Sequence, residues 1–235
     1  MIVKLIKRYK TFKNKYVVQE RRKYEYIVNR YYAHMIDPFF TKLVYDLGLS
    51  PNMVTIISCF TGICSGLAFF YNYWILGAFL LQLHHFLDGA DGNLARLTGK
   101  CTPFGAKLDK ISDQVVRFVV FIAVASVVNT PVWAKVLFMI TIYLDLAIVH
   151  FFVAPFTKQN SLIRSRWKEW FLEKGIIPGF DIFTVFFLIS VFSVIGRLET
   201  VVYLVIIFKN LDWLYRVWEC WRTSRIQLGK ARLYK

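Results

Sequence analysis

The sequence predicts an all-α, polytopic membrane protein: six transmembrane helices preceded by a basic N-terminal arm and an interfacial amphipathic helix. Three observations carry this. The 235-residue chain is 57% hydrophobic and 18% aromatic, more apolar surface than a water-soluble domain of this length hides. Six apolar stretches, each near the ~20 residues that cross a bilayer, follow one another with short connections. The 30 Lys and Arg residues fall largely on one side of those stretches. A net charge of +15 would by itself suit a nucleic-acid partner, but here the basic residues lie between long apolar runs, and the membrane is the better class.

The elements follow in order. The first 35 residues are basic and tyrosine-rich with no apolar h-region, so no cleavable signal peptide is expected and the arm reads as attracted to anionic lipid. The stretch IDPFFTKLVYDLG reads as a short amphipathic helix on the membrane surface. Pro51 then opens the first span as an N1 proline, with Ser50 placed to cap it. The spans run over about 52–71, 74–95, 105–127, 132–154, 179–196 and 198–219, as length and apolarity require. Asn72, Asn129 with Pro131, Pro178-Gly179 and Gly196 mark turns between them. Three units are expected: an arm over 1–35, a membrane domain over 36–220 and a basic tail over 221–235.

Orientation comes from the basic residues. The first fifty residues hold eleven, the 96–110 connection four, the 155–177 connection five and the tail from Arg216 six, against Lys135 and Arg197 alone on the other side. Both termini are therefore expected in the cytoplasm, of a bacterial cytoplasmic membrane. Cys59, Cys64, Cys101 and Cys220 have no zinc spacing and read as reduced.

Within this apolar chain, Asp88, Asp91, Asp109 and Asp113 stand where the pattern says membrane. Asp88 falls about 21 Å into the second span at 1.5 Å per residue, and Asp109 and Asp113 lie about 6 and 12 Å into the antiparallel third. The pairs at i, i+3 and i, i+4 each occupy one helix face and reach similar depth, so facing helices make a cluster of four. Each carboxylate at mid-membrane costs about 2.5–3.5 kcal/mol, and four repel one another. Protonation relieves that; so do two Mg²⁺ or Mn²⁺ ions, which also clamp an in-line displacement at phosphorus. Gly89, Ala90, Gly92 and Ala95 strip bulk from the helix, for a ligand's approach or for helix packing. Arg96 is placed to hold a phosphate, and Thr102 offers a hydroxyl.

The stretch DGADGNLARLTGKCTPFGAKLDKISD resembles the signature D-x2-D-G-x2-A-R-x8-G-x3-D-x3-D of the CDP-alcohol phosphatidyltransferases, with every fixed position filled: Asp88, Asp91, Gly92, Ala95, Arg96, Gly105, Asp109 and Asp113. The resemblance is strict over 88–113, looser over 50–220 and absent over the first thirty-five residues. It implies a six-helix membrane enzyme, a homodimer, that transfers a substituted phosphate from CDP-diacylglycerol to an alcohol with release of CMP. By resemblance, Asp88, Asp91, Asp109 and Asp113 hold two divalent ions, and Asp113 is also the base. Gly92, Ala95, Arg96, Thr102 and Gly105 border CDP, joined by Pro51 and Asn52 of the SPNMVT stretch. The acceptor is left open among glycerol phosphate, serine, inositol phosphate and a polyol.

Other polar residues carry weaker expectations. Arg117, one turn beyond Asp113, orients that carboxylate or binds the acceptor. His85, one turn before Asp88, is a candidate to hydrogen-bond it, and His84 reads as packed or lipid-facing. Lys209 and Asp212, at i, i+3, are expected to pair with each other. Arg164 and Arg166 read as positive-inside residues, with acceptor binding the second reading. Competing functions are a transferase using a soluble CDP-alcohol, a metal-dependent prenyltransferase and a divalent-cation transporter. The last leaves Gly92, Arg96 and Gly105 without a role.

Overall fold

The computed structural model describes residues 2–17 and 24–233, with side chains over 6–17 and 24–228; residues 18–23 of the arm and the last two of the tail lie outside it. The described chain is almost wholly helical. Helix α1 (Ile2–Tyr16) is followed by a two-residue strand β1 (Glu25–Tyr26), a π turn (Asn29–Ala33) and α2 (His34–Asp46). Then come α3 (Pro51–Phe70), α4 (Trp74–Leu97) and α5 (Pro103–Val127). Helix α6 (Val132–Ile148) continues through a second π turn (Val149–Val153) into α7 (Ala154–Gln159). Helix α8 (Arg166–Glu173), strand β2 (Ile176–Ile177), α9 (Ile182–Ile195) and α10 (Leu198–Leu233) complete the chain.

The helix boundaries follow local chemistry. Ser50 caps α3 by accepting from the Met53 N–H, and Pro51 occupies the first turn, where its missing N–H costs nothing. Thr102 caps α5 in the same way, its Oγ1 3.0 Å from the Gly105 nitrogen. Asp181 caps α9 by accepting from Thr184 N–H at 3.0 Å. Asn72, at φ 61°, turns the chain between α3 and α4.

Two helical stretches, Pro51–Phe70 and Val132–Gln159, are long and apolar enough to cross a membrane by length and composition; Ile182–Ile195 is a shorter apolar helix. The remaining long helices carry the charges of the aspartate signature or of Lys209, Asp212 and Arg216, which break their apolar windows. On the outside, Phe60, Ile75, Phe79, Trp133 and Phe151 are all more than 60% exposed, a belt of apolar surface that water would not tolerate.

Inside, Phe69, Leu81, Val120, Phe121, Phe138, Ile142 and Ile189 form one buried core shared by α3, α4, α5, α6 and α9. Helices α3 and α5 approach closely because α3 presents small residues: a Cβ at Gly62 would lie 2.5 Å from Val116 Cγ1. That seam fixes how α5 stands beside α3 and α4, and so where its aspartates fall.

Several expectations are corrected. The arm is not only an interfacial segment: α1 packs on α2 through Phe12–Phe39 and Tyr16–Tyr45 ring contacts, and β1 pairs in parallel with β2. Lys209 and Asp212 do not pair. Lys209 reaches across to Asp145 on α6, and Asp212 binds Arg216 one turn on. The reason is burial: Asp145 is 3% exposed and needs a cation, while Asp212 finds one in the favoured i, i+4 order. His84 is packed, its Nδ1 2.9 Å from Ser58 Oγ. The four cysteines are free, as read.

Overfilling the α3–α5 seam should cost about 1–3 kcal/mol, so Gly62→Leu should lower the thermal midpoint of the detergent-solubilised protein. Gly62→Ala combined with Val116→Ala should recover most of it. An unchanged midpoint in Gly62→Leu contradicts this packing.

Candidate active site

Helix α4 carries Asp88 and Asp91 on one face, and α5, running back antiparallel, brings Asp109 to meet them. One carboxylate oxygen from each of Asp88, Asp91 and Asp109 lies within 4.8 Å of the other two. No ion pair among the described residues reaches any of the three. Three hard oxygen donors, close together and outside any ion pair among the described residues, fit Mg²⁺ or Mn²⁺. Asp113, one turn further along α5, is turned differently: its Oδ2 accepts from Arg117 NH2 at 2.5 Å. The Arg117 Nε is buried with no partner.

Beside the three carboxylates lies a cavity of about 210 Å³. Pro51, Asn52, Gly92, Ala95, Arg96, Thr102 and Gly105 all line it, together with Asp91 and Asp109. The family resemblance implies one nucleotide site for those seven, and the fold brings all seven to one cavity. Local structure explains why. The capped starts of α3 and α5 meet so closely that a Cβ at Gly105 would lie 2.9 Å from Asn52 Oδ1. Arg96 folds back along the bare face left by Gly92 and donates from NH2 to Asn93 Oδ1 at 2.8 Å.

His85 stands apart from that cavity. Its Nδ1 is buried without a partner, and its ring packs 4.7 Å from that of Phe183.

Sequence reasoning missed two contacts. Thr55 is buried on α3 and donates from Oγ1 to Asp91 Oδ2. It lies one turn beyond Pro51, on the face that already carried the Pro-Asn pair, and that spacing was the available signal. Asp37 on α2 is 5% exposed, and its Oδ1 would lie 3.2 Å from a Cβ on Gly89. His34 clamps it through Nδ1 at 2.8 Å and reaches Glu25 of β1 through Nε2 at 2.9 Å. No sequence pattern announces that contact, because it depends on where α2 docks.

A second cavity, of about 540 Å³, opens between the 160–178 connection, α10 and β1. Arg164, Lys168 and Arg216 line it with Glu219 and Asp212, the last four forming two ion pairs. Arg164 keeps a buried, unpartnered Nε.

Comparison with known proteins agrees with this geometry. The CDP-alcohol phosphatidyltransferase family model matches residues 48–218, most of the chain, and the chain belongs to that family. An archaetidylinositol phosphate synthase of Pyrococcus horikoshii is 38% identical over 73 residues, 31% of this chain and 39% of the relative. A bifunctional IPC transferase and DIPP synthase of Aquifex aeolicus is 36% identical over 84 residues, 36% of this chain and 19% of the relative. A phosphatidylinositol phosphate synthase of Streptomyces avermitilis is 32% identical over 95 residues, 39% of this chain and 37% of the relative. The matched stretches thus span well under half of each relative. The fold is similar to a crystal structure of Mycobacterium tuberculosis phosphatidylinositol phosphate synthase with CDP-DAG bound: TM-score 0.56, 18% identity, 79% of this chain and 92% of that one. A second structure of that enzyme, in complex with manganese and citrate, gives a TM-score of 0.52 at 18% identity over 77% of this chain and 87% of that one.

Removing the Thr55 hydroxyl should loosen Asp91. Thr55→Val is expected to raise the Mn²⁺ concentration for half-maximal binding by about 10–100-fold, with Thr55→Ser close to wild type. Equal Mn²⁺ affinity in Thr55→Val and wild type contradicts the role given to that bond.

Proposed function

We propose that this chain is an integral membrane transferase that moves a phosphatidyl group from CDP-diacylglycerol to the hydroxyl of a phosphorylated polyol and releases CMP. The observation that carries the reading is the meeting of Asp88, Asp91 and Asp109 beside a cavity lined by the full Pro-Asn, Gly-x2-Ala-Arg and Thr-x2-Gly set. In this reading six helices cross the bilayer, both termini lie in the cytoplasm, the membrane domain covers 36–220, and the functional unit is a homodimer in a bacterial cytoplasmic membrane. The belt of exposed apolar side chains and the one-sided basic residues support it.

Asp88, Asp91, Asp109 and Asp113 would hold two Mg²⁺ or Mn²⁺ ions. The manganese in the similar solved enzyme supports a divalent ion, and the CDP-DAG bound in the other structure of it supports a CDP-lipid donor. When bound, the ions offset charge on the pyrophosphate and on the oxygens entering and leaving phosphorus. Pro51, Asn52, Gly92, Ala95, Thr102 and Gly105 form the nucleotide wall, and Arg96 leaves Asn93 to grip a phosphate. The acceptor oxygen attacks the lipid-bearing phosphorus while the bond to the CMP oxygen breaks, and that oxygen keeps the electron pair. The acceptor's proton passes to Asp113. Arg117 holds Asp113 Oδ2, so Oδ1, the oxygen that would also face an ion, is the one placed to take it.

For the acceptor, Arg164 in the second cavity, whose guanidinium lies over the Tyr24 ring and whose Nε lacks a hydrogen-bond partner, suits a phosphate. Inositol phosphate is the first candidate, since the relatives' names include synthases of inositol phosphate lipids.

The test is CMP release by purified protein from CDP-diacylglycerol, with inositol phosphate, glycerol phosphate, serine and inositol as acceptors. Turnover should vanish with a chelator and return with Mg²⁺ or Mn²⁺. Asp113→Ala should lose about 100-fold or more of turnover while still binding the CDP-lipid. Turnover unaffected by chelation, or normal in Asp113→Ala, defeats the mechanism. Release of CMP only from a soluble CDP-alcohol would move the protein to the other donor class.

A further inference from the structure

Residues 24–30 lie outside the stretch matched by the family, which begins at residue 48. Yet they are fastened to the 175–181 segment and to α10 of the matched stretch. Strand β1 pairs with β2, and the Glu25 nitrogen donates to the Gly175 carbonyl at 3.2 Å. Arg30 NH1 donates to the same carbonyl at 2.7 Å. Asn29 Nδ2 donates to Asp181 Oδ2 at 3.2 Å, and Arg216 NH2 donates to Tyr26 Oη at 2.9 Å.

The receiving surface is shaped for this segment. Gly175 stands at φ +73°, and a Cβ there would lie 2.2 Å from Arg30 NH1. A Cβ at Gly179 would lie 3.0 Å from the Tyr26 ring. Tyr24 and Tyr26 thereby line the second cavity with Arg164 and Lys168, the Arg164 guanidinium lying 5.7 Å over the Tyr24 ring. From there the chain runs on to Asp37, which rests against Gly89, the neighbour of Asp88.

We propose that residues 24–30 form a specificity strap, with Tyr26 selecting a phosphorylated small alcohol in the second cavity. The inference rests on the acceptor reading above. Burial lifts the Tyr26 phenol above its usual range, so it stays protonated at neutral pH. Its oxygen accepts from Arg216 and its proton is left to donate into the cavity. Arg164, stacked over Tyr24 in the same cavity, supplies the charge for the phosphate, and the two rings limit the size of the alcohol.

The experiment is steady-state kinetics of the full-length protein in lipid nanodiscs, with CDP-diacylglycerol as donor and inositol phosphate or inositol as acceptor. Three variants are compared: Tyr26→Phe, Arg30→Ala and Arg164→Ala. Tyr26→Phe should raise the inositol phosphate KM about 10-fold, the worth of one lost hydrogen bond, and leave the donor KM within about 2-fold. Arg30→Ala, which touches no cavity atom, should narrow the preference for inositol phosphate over inositol without changing the donor KM. A purely structural role would instead move both KM values and the thermal midpoint together, and that result overturns the strap. If Arg164→Ala raises the acceptor KM while both strap variants behave as wild type, the strap is refuted and the acceptor cavity stands. If none of the three moves the acceptor KM, both fall.

Discussion

Concentrating carboxylates at a helix seam inside an apolar bundle is tolerable only if their charge is neutralised, by protons or by cations between the helices. Asp88, Asp91 and Asp109 meet at such a seam with no lysine or arginine paired to them among the described residues. Their repulsion would otherwise push α4 and α5 apart, against the packing that holds α5 to α3. A divalent ion, as proposed, would resolve the conflict where protonation does not, and would then belong to the fold as well as to the chemistry.

The rest of the site is arranged around that requirement. Gly62 lets α5 stand close to α3, and the two capped helix starts bring Asn52 to Gly105. Thr55 reaches from α3 to one oxygen of Asp91, so α3 takes part in orienting a carboxylate on α4. Arg117 pairs directly with Asp113, although its charge also acts on Asp88 and Asp109, so the four carboxylates remain one electrostatic cluster. Four aspartates of one signature thus differ in contact, one in an ion pair and three outside any among the described residues.

Much of this was legible in the sequence. The helix start at Pro51, the turn at Asn72 and the cap at Ser50 follow from local chemistry, which the sequence states directly, while α5 starts at Pro103 under a Thr102 cap, two residues before the expected 105. Seven residues lining the first cavity were named together by the family resemblance, and the starts of α3 and α5 with the end of α4 bring them to one place. Contacts set by docking were hidden. Lys209 chose the buried Asp145 on another helix over its own i, i+3 neighbour, since an unpaired buried carboxylate is the costlier outcome. The same holds for Asp37 against Gly89 and for the pairing of Glu25 with Ile176, which join residues far apart in the chain.

The central claim is that α4 and α5 together create one divalent-ion site. Electron paramagnetic resonance of Mn²⁺ added to the purified protein addresses it most directly, because it reports bound ions without requiring a substrate. Two bound ions per chain with spectra broadened by mutual coupling are predicted, lost in Asp88→Asn and in Asp109→Asn alike. Mn²⁺ binding that survives either substitution unchanged, or no tight binding in the wild type, would contradict the claim.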